Sequence, residues 1–164
     1  MKQILRFKHI YILLLLTFIS MGCKKDKEGS GDTSGAIEGT WELTSLSFVT
    51  RMGPAQTNSV GKNINNVLLM IHNDGTTSGN GKTFQVETSV AGISGTTSTE
   101  SELVVNTGEW ERNGDTFTWT GHGETRDFTI LEVTGSTLHL AADYGDDIAF
   151  HLFNSIDLKF KRKN

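Results

Sequence analysis

The sequence has few of the residues that restrain a small protein covalently or conformationally: one cysteine and one proline among 164 residues. A chain of this length can bury roughly two thirds of its unfolded surface, so the fold does not need disulfides. The single proline excludes a collagen-like chain. The 18 glycines, with many Ser and Thr between short apolar runs, argue against a helical bundle or coiled coil. They favour a single β-rich domain.

Long apolar runs are also scarce, and the clearest one lies near the N-terminus at residues 10–19. The basic residues Lys2, Arg6 and Lys8 precede it. Ten helical residues rise about 15 Å, roughly half of a bilayer's hydrocarbon core, so a transmembrane span is disfavoured. The pattern is typical of a signal peptide, which we assign to residues 1–22.

The only cysteine, Cys23, directly follows the small residues Ser20 and Gly22. This junction resembles the lipobox of bacterial lipoproteins. The resemblance implies that Cys23 receives a diacylglyceryl thioether and becomes the acylated, palmitate-type anchor of the mature chain. The alternative is a free thiol near the terminus. Because Lys24 replaces the Asp that retains many lipoproteins in the inner membrane, the resemblance favours the outer membrane. Either face of the outer membrane, periplasmic or surface, is compatible with the sequence.

Residues 23–36 contain the lipidated Cys and a polar stretch that we expect to be a flexible tether. Residues 37–164 remain for folding. Loss of the three leader cations would change the formal net charge from −4 to −7. Such an acidic domain, without a basic patch, disfavours nucleic acid as a partner.

From Ile37 onward, apolar residues recur mostly at period two, with turn residues between the runs. This pattern predicts an all-β domain, with Asn113-Gly114 as a type I′ hairpin turn. Eight such strands can close into an antiparallel up-and-down β-barrel, with a β-sandwich as the alternative. The predicted strands are 37–50, 66–72, 82–90, 101–111, 115–121, 125–133, 136–142 and 147–161.

In such a barrel, alternate connections lie at opposite ends. The segments 73–81, 112–114 and 134–135 are mostly tight. The longest connections, 51–65 and 91–100, lie at the other end. We therefore expect one closed end and one mouth rimmed by loops.

The predicted domain resembles a lipocalin-like domain, of the kind found in lipoproteins of the Bacteroides type. The resemblance covers about residues 37–163 and rests on Gly39-Thr40-Trp41, a long first loop, hairpin-linked strands and a late basic residue. It implies an eight-stranded barrel in which Trp41 closes the bottom beneath Arg162, a cation–π contact contributing about 0.5–2 kcal/mol. Alternatively, Trp41 is an ordinary core aromatic and Arg162 a frayed terminal charge. Gly39, Trp41 and Arg162 are structural residues in either case.

Several patterns suggest chemistry, but each has a simpler explanation. The segment 75–83 ends in Gly-Lys-Thr, but its spacing is one residue too long for a phosphate loop and a predicted strand follows. Glu109 and Glu111 would share one strand face, whereas glycosidase carboxylates converge across a cleft. The remaining candidates, which show no recognised metal-ligand spacing, are His72, His122, His139, His151, Asp143, Asp146 and Asp147. We expect no enzyme activity, cofactor or metal.

The inward-facing apolar side chains either fill the barrel or line a cavity for a small ligand. The leading hypothesis is a membrane-anchored protein that binds a small, mainly apolar molecule without chemistry. The alternative is a surface interaction or scaffold module with a packed core, which contacts a protein or glycan through segments 51–65 and 91–100. The candidate ligand-lining residues are Val67, Leu69, Phe84, Val86, Leu103, Val105, Phe117, Trp119, Phe128, Ile130, Leu138 and Leu140.

Overall fold

The structure, a computed structural model, describes residues 31–52, 54–100, 107–145 and 153–164. Within these ranges the chain forms eleven β-strands and no helix, which confirms the all-β fold class. The strands are β1 (Gly39–Met52), β2 (Ala55–Lys62), β3 (Leu68–Ile71), β4 (Thr76–Gly79), β5 (Thr83–Val90), β6 (Ile93–Glu100), β7 (Gly108–Asn113), β8 (Thr116–Gly121), β9 (Glu124–Val133), β10 (Thr137–Asp143) and β11 (Ser155–Arg162).

Eight of the strands close into an antiparallel β-barrel. They follow the order β1, β3, β4, β7, β8, β9, β10 and β11, and β11 pairs back with β1. All of these pairings are antiparallel. The predicted lipocalin-like architecture is therefore confirmed, and the β-sandwich alternative is excluded.

The other three strands extend the barrel wall at one end. Residues 39–42 of β1 pair with β3, whereas residues 47–52 pair with β2 on the same edge. β5 pairs with β2, and β6 pairs with β5. Between β2 and β3, Asn63 and Asn66 adopt the left-handed conformation with φ of 52° and 55°. The wall beside β1 is thus built from interrupted strands rather than from single long ones.

The two segments predicted to be long loops are mainly strands. Within 51–65, β1 and β2 form a hairpin in which Met52 lies opposite Ala55. Within 91–100, Ala91 and Gly92 make a two-residue turn with φ of 49° and 84°, and β6 follows. Their Ser, Thr, Asn and Gly residues hide the strands from a search for apolar alternation, although threonine itself favours strands. The mouth is therefore rimmed by hairpins.

The other predicted strands agree with the structure within two residues wherever it describes them, but the strand predicted at 82–90 lies in the wall extension as β5 and not in the closed barrel. The segment 73–81, predicted to be a connection, contains β4, which is a barrel strand. Of the predicted strands 101–111 and 147–161, residues 101–106 and 147–152 lie outside the described residues. The type I′ turn at Asn113-Gly114 is wrong, because Asn113 pairs with Thr116 as a strand residue. Gly114, with φ of 61°, is the first of the two turn residues, which fits a type II′ hairpin.

The barrel encloses one hydrophobic core. Of the twelve predicted inward residues, Leu103 and Val105 lie outside the described residues. All the others are buried, as are Ile156, Leu158 and Phe160 on β11. The ten buried residues are Val67, Leu69, Phe84, Val86, Phe117, Trp119, Phe128, Ile130, Leu138 and Leu140.

Candidate functional site: a cavity at the barrel mouth

The end of the barrel opposite the β1–β2 and β5–β6 turns is closed by Trp41 and Arg162. The Trp41 side chain is fully buried, and the Arg162 guanidinium carbon lies 4.1 Å from its ring centroid. Arg162 also donates hydrogen bonds to the carbonyls of Gly135, Glu38 and Ala36 at 2.9, 2.8 and 2.8 Å. The contact expected from the sequence is present, and Arg162 is an ordered cap rather than a frayed terminal charge.

Gly39 provides the space that this cap needs. A Cβ atom at Gly39 would lie 2.2 Å from Nη1 of Arg162. Its φ of 138° is also one that side-chain-bearing residues rarely adopt. Both the close approach and the backbone conformation therefore require glycine here.

The segment 31–38 covers the closed end, which corrects the expectation of a flexible tether up to residue 36. Gly31 and Gly35 donate backbone hydrogen bonds to β9, and Val133 donates one to Asp32. Arg112 donates to the Gly35 carbonyl at 2.9 Å and also to the Thr33 carbonyl. The sequence suggested a tether because these residues are small and polar, but they are held through their backbone N–H and carbonyl groups.

Ile37 completes this closure from within. Its side chain is buried, and its carbonyl accepts a hydrogen bond of 2.7 Å from the Trp41 indole nitrogen. A ligand therefore has to approach the interior from the opposite end. There the hairpin turns carry two further left-handed residues, His122 and Gly123, with φ of 52° and 79°.

At that open end, the wall extension and β1 line an open-sided cavity of about 290 Å³. This volume is close to the lower limit for sites that bind small molecules. Five lining residues are apolar, and the other six carry a hydroxyl group. The lining residues are Leu46, Phe48, Thr50, Thr57, Ser59, Phe84, Val86, Thr88, Thr97, Thr99 and Phe153.

Phe153 is positioned by its neighbour Asn154, a buried polar residue. The Asn154 backbone donates to the Val49 carbonyl at 2.8 Å, and its side-chain oxygen accepts from the Arg51 backbone. Its side-chain nitrogen donates to the Gly145 carbonyl. These bonds fix Phe153 against Phe48, with ring centroids 4.5 Å apart. One side of the cavity is thus a fixed aromatic pair.

Of the ten predicted ligand-lining residues that the structure describes, two, Phe84 and Val86, line this cavity. The other eight described ones belong to the packed core, so their predicted position is corrected from cavity wall to barrel filling. Strand alternation identifies the inward face but not the depth at which packing ends. Sequence reasoning missed the hydroxyl-bearing lining, whose only signal is threonine at alternate positions, such as Thr97 and Thr99.

The other candidate groups are accounted for by local structure. His72 bonds to Ser78 at 3.0 Å, and His139 bonds to Asp157 at 2.7 Å. Glu109 is exposed and faces a neighbouring threonine rather than a cleft. Among the described residues, no three His, Cys, Asp or Glu side chains converge as metal ligands. His151, Asp146 and Asp147 lie outside those residues.

The resolved pKa shifts mark turns and packing rather than a reactive group. Hydrogen bonds from Ser34 hold the pKa of Asp32 below its usual value, and those from Thr76 do the same for Asp74. Burial raises the pKa of Tyr144 to about 12. None of these three groups lines the cavity.

A search of the described residues for membrane spans found no helix that is both long enough and apolar enough to cross a bilayer. Comparison with protein-family models, with curated proteins and with solved structures gave no match to this chain.

Proposed function

We propose that this protein is a lipid-anchored, non-enzymatic binding protein of the cell envelope. It holds a small, mainly apolar molecule in the cavity at the barrel mouth. Cys23 is the anchor, and the outer membrane is its location. The fold is seen in the structure, whereas the anchor is inferred from the junction between the apolar leader and Cys23.

The observation that carries the binding function is the cavity itself. Barrels of eight strands are commonly filled by their own side chains. Here the lower part is filled, whereas the wall extension holds about 290 Å³ of space beside three phenylalanines, Phe48, Phe84 and Phe153. An apolar molecule placed there would be removed from water, with a gain of about 25 cal/mol per Å² of buried apolar surface.

The segment 31–38 supports a defined orientation on the membrane. Because it is hydrogen-bonded across the closed end, at most seven residues, 24–30, connect Cys23 to the barrel. Seven residues reach no more than about 25 Å when fully extended. The closed end therefore faces the anchoring membrane, and the mouth points away from it. A crosslinker at Asn113 should label the bilayer more strongly than one at Thr96, and the reverse result would refute this orientation.

Native mass spectrometry of the full protein, purified from its natural host, tests the binding function. We expect a small molecule to co-purify in a stoichiometric ratio and to dissociate on unfolding. The Cys23→Ala variant provides the soluble form for this measurement. If the host-purified protein carries nothing and no small apolar compound binds to it, the binding function is wrong.

A specific observation also supports the second candidate, an interaction module. Ile93, at the tip of the β5–β6 hairpin, is 79% exposed, and Val90 opposite it is 41% exposed. Exposed apolar residues at a rim are common in protein contacts. If Ile93→Lys abolished a partner interaction while small-molecule binding was absent in the wild-type protein, the interaction module would replace the binding function.

A further inference from the structure

The inner face of the cavity wall can be followed across four strands, β1, β2, β5 and β6. In the topmost row, Thr50 lies opposite Thr57, Thr57 opposite Val90 and Val90 opposite Ile93. In the next row toward the core, the corresponding residues are Phe48, Ser59, Thr88 and Gly95. The row below contains Gly61, Val86 and Thr97, with Leu46 of β1 next to Gly61. The topmost row holds two threonines and two apolar residues, and hydroxyl-bearing residues occur in every row of the wall.

This inner face carries no charge in the part of the chain that the structure describes. None of the cavity-lining side chains is ionisable. Lys62 and Glu87 lie on the outer face of the same sheet, where they form an ion pair of 3.1 Å. An ionic ligand would lose hydration in this cavity without gaining a charged partner, which is unfavourable.

Most of the hydroxyl groups are available to a ligand. Ser59 and Thr88 bond to each other at 3.0 Å. Within the described residues, the other four cavity-lining hydroxyls have no hydrogen-bond partner. They belong to Thr50, Thr57, Thr97 and Thr99. A threonine hydroxyl can both donate and accept, so it can bind an uncharged oxygen of either kind.

Gly95 leaves open space beside the cavity, on the edge strand β6. It lies opposite Thr88 on the inner side of β6, and a Cβ atom there would have no other atom within 4 Å. By contrast, the space above Gly61 is occupied, because a Cβ atom there would lie 2.5 Å from Cδ1 of Ile64. The open part of the wall is therefore over β5 and β6.

We infer that the cavity selects uncharged molecules that combine an apolar, ring-sized body with hydroxyl or carbonyl oxygens. The body lies against Phe84 and Val86, and its oxygens bond to the unpaired hydroxyls of the threonines that line the cavity. This inference rests on the proposed binding function and specifies its ligand class. Free carboxylates, amines and phosphates are excluded as good ligands.

Three probes of one ring system test the ligand class with the soluble Cys23→Ala chain near neutral pH. They are 2-naphthol, which is uncharged, 2-naphthoate, which is an anion, and 2-naphthylmethylammonium, which is a cation. Isothermal titration calorimetry should show both ions binding roughly tenfold or more weakly than 2-naphthol. Naphthalene should bind about fivefold more weakly, because it lacks the hydroxyl group.

Two variants of β6 link the binding to this face. Gly95→Leu places a large side chain beside the cavity-lining residues Thr88 and Thr97 and should weaken 2-naphthol binding by roughly tenfold or more. Ser94→Leu adds the same side chain on the outer face of the same strand and should leave binding unchanged. The unfolding midpoints of both variants report whether each one remains folded.

The outcomes separate the two levels of the proposal. If either ion binds as tightly as 2-naphthol and Gly95→Leu weakens that binding, the cavity is a binding site but the inferred ligand class is wrong. If naphthalene binds as tightly as 2-naphthol, the role of the threonines is wrong. If none of the probes binds to the folded protein, the inference and the proposed function both fail.

Discussion

Removal of the Arg162 guanidinium should destabilise the barrel more than any change of a surface charge. The guanidinium covers the Trp41 ring at 4.1 Å and donates to three backbone carbonyls at 2.8–2.9 Å. The ring contact contributes about 0.5–2 kcal/mol. Each charge-assisted bond adds about 1 kcal/mol at this partly exposed position. Arg162→Ala should therefore lower the free energy of unfolding by about 3 kcal/mol or more.

Urea denaturation of the soluble Cys23→Ala chain, followed by tryptophan fluorescence, measures this loss. With a slope of about 2 kcal/mol per molar urea, the midpoint should fall by roughly 1.5 M. Arg162→Lys keeps the charge but cannot donate to three carbonyls at once, so it should recover less than half of the loss.

The matched control is Lys161→Ala on the same strand. The Lys161 ammonium pairs with Glu42 at 3.4 Å, but the side chain is 62% exposed. An exposed pair of this kind contributes about 0–1 kcal/mol. If Arg162→Ala costs no more than Lys161→Ala, the closed end is not held as described.

Four further predictions concern the closed end, the mouth and the anchor. Gly39→Ala should cost about 1–3 kcal/mol of unfolding free energy, whereas Gly135→Ala, where a Cβ atom meets nothing within 4 Å, should be nearly neutral in the same denaturation assay. Asn154→Ala should cost about 1–3 kcal/mol and weaken 2-naphthol binding in calorimetry, because it leaves backbone groups near Phe153 unpaired; unchanged binding would refute this role. Hydrogen bonds from Ser34 lower the pKa of Asp32, so they stabilise the segment 31–38 at a pH above the usual pKa of aspartate. This stabilisation should be lost as the pH falls through the lowered pKa. If hydrogen exchange at Gly35 in acid, corrected for intrinsic rates, is no faster in the wild type than in Asp32→Asn, this prediction is wrong. Cys23→Ala should move the protein from the membrane to the soluble fraction, and retention on membranes would mean that the anchor assignment is wrong.

The amount of structure that the sequence predicts depends on how apolar each segment is. Phe117 and Trp119 alternate with threonines, so their strand and its inward face are evident without coordinates. The 93–100 segment contains one large apolar residue, Ile93, which points to solvent at the rim. Because the inner face of this segment lines a cavity rather than the core, the segment lacks the alternating apolar residues that would identify it as a strand.

The candidate site was harder to predict than the fold for a related reason. Trp41 and Arg162 occupy recognisable positions near the two ends of the domain, so their contact could be expected. The cavity, by contrast, depends on the space left between side chains, such as the space beside Phe84 and Val86. The hydrogen bonds from Arg112 to the segment 31–38 could not be predicted from the sequence either, because their acceptors are backbone carbonyls, which every residue carries.

Methyl NMR spectroscopy with 2-naphthol tests the location of the binding site most directly. If the mouth cavity is the site, saturating 2-naphthol should shift the methyl resonances of Val86, Thr88 and Thr97, which line it or face it. The methyls of Val133 and Leu138 are fully buried in the core outside this cavity and should barely move. Large shifts at Val133 and Leu138, with none at the three cavity methyls, would contradict a ligand site at the barrel mouth.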